Sequence, residues 1–345
     1  MKNFFDKFNK RTFIIAELSA NHNGSIETAI ETIKAAKRSG ADAIKLQTYT
    51  ADTITLSVKS DDFLINNGTI WDGKYLHDLY QEAYTPWQWH KELFRVSREE
   101  GLICFSTPFD FTAVDFLESL KNPIYKIASF EITDIPLIRY IASKGKPIII
   151  STGIACKDDI ELALETCKKE ENYEIALLKC TSSYPAPLSE ANLSMIQDFT
   201  KKYDVVAGLS DHTLGTTAPI VAISQGARII EKHFILDKSI GGPDASFSLD
   251  EAEFTHMVKS IRDAELIIGE VDYNLTPKQQ EGKKYSRSLY VSQDVKKGEL
   301  ITNKNVRSVR PGHGLHPKYL NDILGAKFNV DLKRGDRLSF NVITK

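Results

Sequence analysis

Lysines and histidines recur inside apolar runs of this chain, where a solvated surface charge is not expected. Lys45 and Gln47 close the run AIKLQ, Lys126 and Ser129 lie in YKIAS, and Lys179, Thr181, Ser182 and Tyr184 fall in KCTSSYP. Comparable places hold Glu17 with Asn21 and His22, Ser106 with Thr107, Glu131 after Ser129, Ser151 with Thr152, Ser210 with His212, and Glu231 with His233. A lysine is costly to bury without a partner, so repeated lysines in apolar runs point to a buried anionic ligand. Each polar residue alone also reads as a satisfied core group or a strand-end cap. Lysine offers phosphate a point charge, and hydroxyls and helix N-termini add directional donors, so the set suits a phosphate plus a carboxylate. No Walker loop is present, which leaves nucleoside triphosphate chemistry without support.

His212 and His233 are too far apart in sequence to share a helix face. They stand at corresponding ends of the last two of the apolar runs. Two adjacent strand ends could aim two imidazoles at one ion, with Glu17 or waters completing the shell. The plainer reading is a pair of hydrogen-bonded core histidines. Asp211, beside His212, could cap the helix that follows.

The elements that would position these groups alternate along the chain. Apolar runs FIIAEL, AIKLQ, ICFSTP, YKIAS, PIIIST, IALLKCT, VVAGLS and RIIEKHF suit parallel strands covered on both faces. Helical spacing fills Ile26 to Ser39, where Ile26, Ala29, Ile30, Ile33, Ala36 and Lys37 fall largely along a stripe that Gly40 ends. Trp87 to Glu100, Ile160 to Lys169, Thr216 to Gln225 and Asp250 to Ile268 also read as helices. Strands and helices alternating over about 250 residues have the size and rhythm of a (β/α)8 TIM barrel, in which strand C-termini converge on one mouth. A doubly wound sheet is the alternative, but its G-x-G-x-x-G fingerprint is missing. The connection from Gln47 to Trp87, of about 40 residues, is long enough to be functional or a packing elaboration. Its aromatics could pack or touch substrate.

The barrel is expected to span residues 1–268. Residues 269–285 are polar and aperiodic and read as a linker. A small β-rich domain is expected over 286–345, where Asp294-Val-Lys-Lys-Gly-Glu-Leu300 is echoed by Asp331-Leu-Lys-Arg-Gly-Asp-Arg-Leu338, each as strand, glycine turn and strand. Lys plus Arg number 44 against 46 Asp plus Glu, a formal charge of −2, which gives no nucleic-acid or membrane-surface signal. The N-terminus lacks the apolar core and cleavage site of a signal peptide, and no apolar run approaches a bilayer span. Cys104, Cys156, Cys167 and Cys180 form no CxxC pair and read as buried free thiols in strands and helices, which fits a cytoplasmic protein.

In order along the chain, IAELSANHNGS, KLQTYT, STPF, YKIASFE, STG, KCTSSYP, GLSDHT and EKHF resemble the motifs of the N-acetylneuraminate (sialic acid) synthase family. RSLYVSQDVKKGEL and SVRPGHGLHP resemble that family's C-terminal SAF (antifreeze-like) domain. LSANHNGS, KLQTYT and WDGKYLHDLYQEAYTPWQWH look most like the branch that makes pseudaminic acid. The resemblance implies metal-assisted condensation of phosphoenolpyruvate with an acetamido sugar, here 2,4-diacetamido-2,4,6-trideoxy-altrose, with release of phosphate.

It also implies that Lys126 and Ser129 hold phosphoenolpyruvate, with Lys45, Gln47, Thr107, Ser151, Ser182, Tyr184 and Ser210 around it. His212 and His233 match the family's divalent-metal ligands; imidazoles suit Mn²⁺ or Co²⁺ better than Mg²⁺. Glu17 matches a carboxylate near the metal and its water, and Glu131 and Asp244 match positions facing the sugar. Arg310 matches an arginine that the SAF domain of a partner subunit delivers to the sugar's N-acyl group, which implies a domain-swapped homodimer. Ser182 departs from the asparagine common in sialic-acid-making members and lacks that amide's two-donor geometry. N-acetylneuraminate or legionaminate synthesis would change the sugar and keep the chemistry. A Schiff-base aldolase using Lys45, Lys126 or Lys179 is an alternative of another class, and a non-enzymatic sugar-phosphate binder is a third.

Overall fold

Leu, Ile and Val side chains on both faces of a strand need apolar cover on both sides, and a closed parallel barrel ringed by helices provides it. The computed structural model, described here for residues 4–8, 10–66 and 68–344, has this architecture. Its strands are β1 (Phe13–Glu17), β2 (Ala43–Thr48), β3 (Ile103–Pro108), β4 (Tyr125–Ile127), β5 (Ile148–Ser151), β6 (Ile175–Cys180), β7 (Val206–Asp211) and β8 (Ile229–His233). They pair in chain order, and β1 closes the barrel on β8 with Glu17 opposite His233. Gly208 is needed in β7 because an added Cβ would lie 2.3 Å from the Ile229 carbonyl of β8.

Alternation along each strand sorts side chains into two populations. Outward residues such as Ile14, Ile44, Ile148 and Ile230 join the large core under the helices. Inward residues are layered. Phe13, Ile15, Phe105, Ile149, Leu178 and Ile229 form an apolar plug that also contains Phe5. Two residues further along the same strands, the inward positions become Glu17, Thr107, Ser151 and Glu231. The polar mouth is therefore the next layer above an apolar floor.

Several expected elements differ in detail. Helices Phe111–Ser119, Ile135–Ala142 and Met195–Tyr203 occupy connections that showed no clear sequence period, and the helix expected from Ile160 starts at Lys157. The long connection after β2 holds helices Ala51–Ile54 and Leu76–Ala83, with a bridge between Leu64 and Tyr75. β4 ends at Ile127, so Ser129 and Glu131 belong to a short 3-10 turn, Ser129–Glu131. Cys104, Cys167 and Cys180 are buried free thiols, but Cys156 is exposed and precedes a helix instead of lying in one. Among the described residues no helix is long and apolar enough to cross a membrane.

The chain divides into two compact units, the first ending at Gly269 and the second starting at Glu270. The stretch read as an aperiodic linker carries a helix, Pro277–Gly282. Thr276 and Gln279 cap each other at its start, and Pro277 opens it, local signals that outweigh the missing apolar stripe. In the second unit Ser288–Val291 pairs antiparallel with Val306–Val309, and Lys327–Phe328 with Ile343–Thr344. The echoed segments are not hairpins of their own. They face each other, with Val295 and Leu332 exchanging backbone hydrogen bonds. Asp294 accepts from Arg334 N and Asp331 from Lys297 N, both at 2.8 Å. The repeat thus encodes two turns that cap one another, with Gly298 and Gly335 both at positive φ.

Candidate active site

Four charges of alternating sign meet at the barrel mouth. Lys45 Nζ lies 2.7 Å from Glu17 and 3.6 Å from Glu231, and Lys126 Nζ lies 3.6 Å from the same Glu231 oxygen. All four side chains are buried. Ser151 Oγ accepts from Lys126 at 2.7 Å, and Ser210 donates to Glu231 at 3.1 Å. Thr107 Oγ1 is 3.4 Å from Lys45 Nζ, and Gln47 donates at 2.9 Å to both Glu17 and Ser19.

These charges are unequally compensated. Burial works against the Lys45 ammonium, but Glu17 and Glu231 outweigh it and hold its pKa above the usual range. Burial dominates at Lys126, where Glu231 offsets only part of it, and the pKa is lowered. Lys126 is therefore the cation that an incoming anion would stabilise most. Burial raises Glu17, with Lys45 opposing and Glu231 adding to the rise. Glu231 is lowered, because the two lysines outweigh its desolvation, and its Oε2 is buried without a hydrogen-bond partner.

The histidines form a second cluster beside the first. His212 and His233 have ring centroids 5.4 Å apart. His212 Nδ1 lies 3.0 Å from the Thr181 carbonyl, which can only accept, so Nδ1 carries the proton and Nε2 is the nitrogen with the lone pair. His233 Nδ1 is buried without a hydrogen-bond partner, 3.7 Å from Asp244 Oδ2. Burial, His212 and the nearby lysines depress the His233 pKa well below its usual value, which keeps the ring neutral. Burial also lowers His212, but Cys180 and the Thr181 carbonyl outweigh it and raise the pKa.

A neutral imidazole whose Nδ1 has no hydrogen-bond partner, beside one whose tautomer is set by a backbone carbonyl, fits divalent-cation ligation. Among the described residues no set of three or more His, Cys, Asp or Glu side chains could hold an ion. Glu17 is held by Lys45 and Gln47.

Other sequence candidates separate into near and far. The Tyr184 ring lies 4.3 Å from that of His212, tilted by 40°, and Asp244 also accepts from Ala20 N at 3.4 Å. Ser129 and Ser182 flank Gly153, where an added Cβ would meet their hydroxyls at 2.7 and 2.0 Å. Asn21 is structural, bonded to the Phe234 carbonyl and Ser248. His22 packs edge-on against Trp89, Ser106 bonds Thr48, and Thr152 bonds the Leu178 carbonyl. Lys179 is half-buried beside Thr181. Asp211 does not cap the next helix; it pairs with Lys232 at 2.6 Å. Arg310 is exposed in the second unit.

Three participants had no role assigned from sequence. Glu231 links both lysines, and its spacing of two from His233 was the available signal, since both then face inward. Phe247 lies 4.9 Å from His233 and 5.2 Å from Tyr184. Trp71, from the long connection after β2, lies 5.3 Å from Tyr184, with its indole N–H on the Pro243 carbonyl. Together with Tyr184 these rings wall the histidine side of the mouth.

Glu131 is half-buried, and its Oε2 is enclosed without a partner. Burial pushes its pKa up to about 7, with Lys126 offsetting part of the rise. Below the unfolded value of 4.5 the carboxyl is neutral in both states. As pH rises from there to about 7 the unfolded chain ionises while the folded carboxyl stays protonated, so stability is lost across that window and the loss is complete above it. Relative to Glu131→Gln, the parent chain is expected to lose about 1–3 kcal/mol between pH 5 and pH 8 without ligand. Urea melts of both chains at the two pH values test this, and equal pH dependence contradicts it.

The fold and mouth define a TIM-barrel protein with an under-compensated buried lysine beside a histidine pair. A profile of the NeuB family matches residues 32–273 and one of the SAF domain residues 286–341. The chain belongs to the NeuB family, the sialic acid synthase family. It is 48% identical to the pseudaminic acid synthase of Campylobacter jejuni subsp. jejuni serotype O:2, over 95% of this chain and 96% of that one. Identity to the N,N'-diacetyllegionaminic acid synthase of Legionella pneumophila is 36%, over 94% and 93% of the two chains. The crystal structure of the N-acetylneuraminic acid synthetase of Leptospira borgpetersenii, in complex with citrate, superposes with a TM-score of 0.70 at 31% identity. That match covers 79% of this chain and 90% of that one.

Proposed function

We propose that this protein is a pseudaminic acid synthase, which joins phosphoenolpyruvate to 2,4-diacetamido-2,4,6-trideoxy-altrose and releases phosphate. The observation that carries the reading is full-length 48% identity to a pseudaminic acid synthase, against 36% to a legionaminic acid synthase. The under-compensated Lys126 beside a histidine pair supports the chemistry. Lys126, Lys45, Gln47, Thr107, Ser129, Ser151, Ser182, Tyr184 and Ser210 would hold the phosphate and carboxylate, and Glu131 and Asp244 would bound the sugar. His212 and His233 would hold a divalent cation, Mn²⁺ before Co²⁺ or Mg²⁺, which would supply Lewis-acid chemistry at the aldehyde oxygen.

In the reaction, C3 of phosphoenolpyruvate attacks the aldehyde carbon, a carbon–carbon bond forms, and C2 becomes electron-poor. Water adds at C2, and the C2–O bond to phosphate then breaks to leave a 2-keto acid. Glu17, its pKa raised mainly by burial, takes the proton of that water. The residues contribute chiefly orientation and fixed charge. Three buried free thiols support a cytoplasmic setting. Arg310 would reach the sugar's acyl oxygen from a second subunit in a swapped homodimer.

The direct test is phosphate release with the altro sugar, its legionaminate-type epimer and N-acetylmannosamine. The assay is run after exhaustive chelation and again with Mn²⁺ restored. Fastest turnover with the altro sugar, dependent on Mn²⁺, is expected. Preference for another sugar overturns the substrate, and full turnover without metal overturns the cation.

A further inference from the structure

We infer that the buried Lys232–Asp211 ion pair, which lies outside the mouth, sets the geometry of His212 and His233 and thereby tunes divalent-cation affinity. The inference rests on the reading of that histidine pair as a cation site. Along β8, Glu231 and His233 face inward and Lys232 faces outward. Along β7 and the residue after it, Ser210 and His212 face inward and Asp211 outward. Asp211 and Lys232 are register partners, so their side chains meet behind the strand ends that carry the histidines. Both are fully enclosed, and Lys232 Nζ lies 2.6 Å from Asp211 Oδ2.

The ammonium is more than a charge partner. It also donates to the Thr213 carbonyl, while Thr213 N donates to Asp211 Oδ1 at 2.9 Å. One lysine from β8 therefore holds both neighbours of His212, the Asp211 carboxylate on one side and the Thr213 carbonyl on the other. The opposite flank is held by main chain: Ala186 N donates to the His212 carbonyl, and Leu249 N to the His233 carbonyl, each at 2.9 Å. The β7 end cannot shift against the β8 end without breaking the Lys232 contacts, and such a shift changes the separation of the two imidazoles.

Stability alone does not call for this pair, since an apolar pair of similar volume often serves a fold equally well. The surplus function is positional, as for partners that orient metal-ligating histidines and alter affinity by about 10–100-fold when lost.

The test is Mn²⁺ binding to the full chain without substrate, followed by electron paramagnetic resonance. The Lys232→Met/Asp211→Leu double variant leaves no lone buried charge. It is expected to keep its melting temperature within a few degrees and its phosphoenolpyruvate affinity, while Mn²⁺ affinity falls about 10–100-fold. A merely structural pair would lower the melting temperature and leave the Mn²⁺ dissociation constant unchanged, which overturns the inference. If the double variant does not fold, Asp211→Asn keeps the shape and the acceptor for Thr213. It is expected to show at least a several-fold loss, and parental affinity in it is equally fatal. His233→Ala is the control for the underlying reading. If the parent binds Mn²⁺ no better than His233→Ala, the cation site itself is wrong and the inference falls with it.

Discussion

Lys126→Met is expected to lower kcat/KM for phosphoenolpyruvate by about 10²–10³-fold, the usual cost of removing one aimed donor from a dry site. Sugar affinity should change little. The physical reason is the charge imbalance at the mouth. Lys45 has Glu17 at 2.7 Å and Glu231 at 3.6 Å, whereas Lys126 has only the Glu231 contact at 3.6 Å among the described ion pairs. Burial holds the Lys126 pKa down, so an anionic substrate gains most by approaching it. Methionine fills the cavity without a charge, and Glu231 keeps Lys45, so the variant should fold. Initial rates at varied phosphoenolpyruvate and saturating sugar, with a thermal melt as control, decide the matter. A folded variant with parental kcat/KM would falsify the assignment.

Mixing two inactive chains should restore activity if the second unit serves a neighbouring barrel. Arg310→Ala spares the barrel but removes the proposed donor to the sugar's acyl oxygen, while His233→Ala spares Arg310 but breaks the histidine pair. In a swapped dimer formed by random exchange, one site in each mixed dimer is intact, which gives about a quarter of parental activity. Delivery within one chain leaves every site defective. The experiment is phosphate release after subunit exchange, with mixed dimers demonstrated by differential tagging. Mixed dimers of two folded parents that stay inactive rule out the swap. Arg310 is exposed, as either a delivered ligand or a solvated surface residue would be, so exposure does not decide between them.

The barrel was legible because its strands are written as local patterns. Near-continuous apolar runs mark strands covered on both faces, and the stripe from Ile26 to Ala36 marks an amphipathic helix. Short connecting helices were less visible. Ile135–Ala142 is only eight residues long and largely apolar, so it shows no clean polar face. Pro277–Gly282 has no buried residue and is specified by its caps, which a search for apolar periodicity passes over.

The site divides along the same physical line. Residue types at strand ends, and the inward parity that Lys45 shares with Gln47 and Glu231 with His233, follow from the two-residue repeat of any strand. That much belongs to the sequence alone. Which inward groups meet depends on strand order, register and barrel closure, through contacts far apart in the chain. Closure sets Glu17 opposite His233, and the β7–β8 register sets Asp211 opposite Lys232. The sequence therefore named Glu231 and Asp211 without their roles. Glu231 became the bridge between two lysines, and Asp211 a clamp instead of a helix cap, once distant strands were brought side by side.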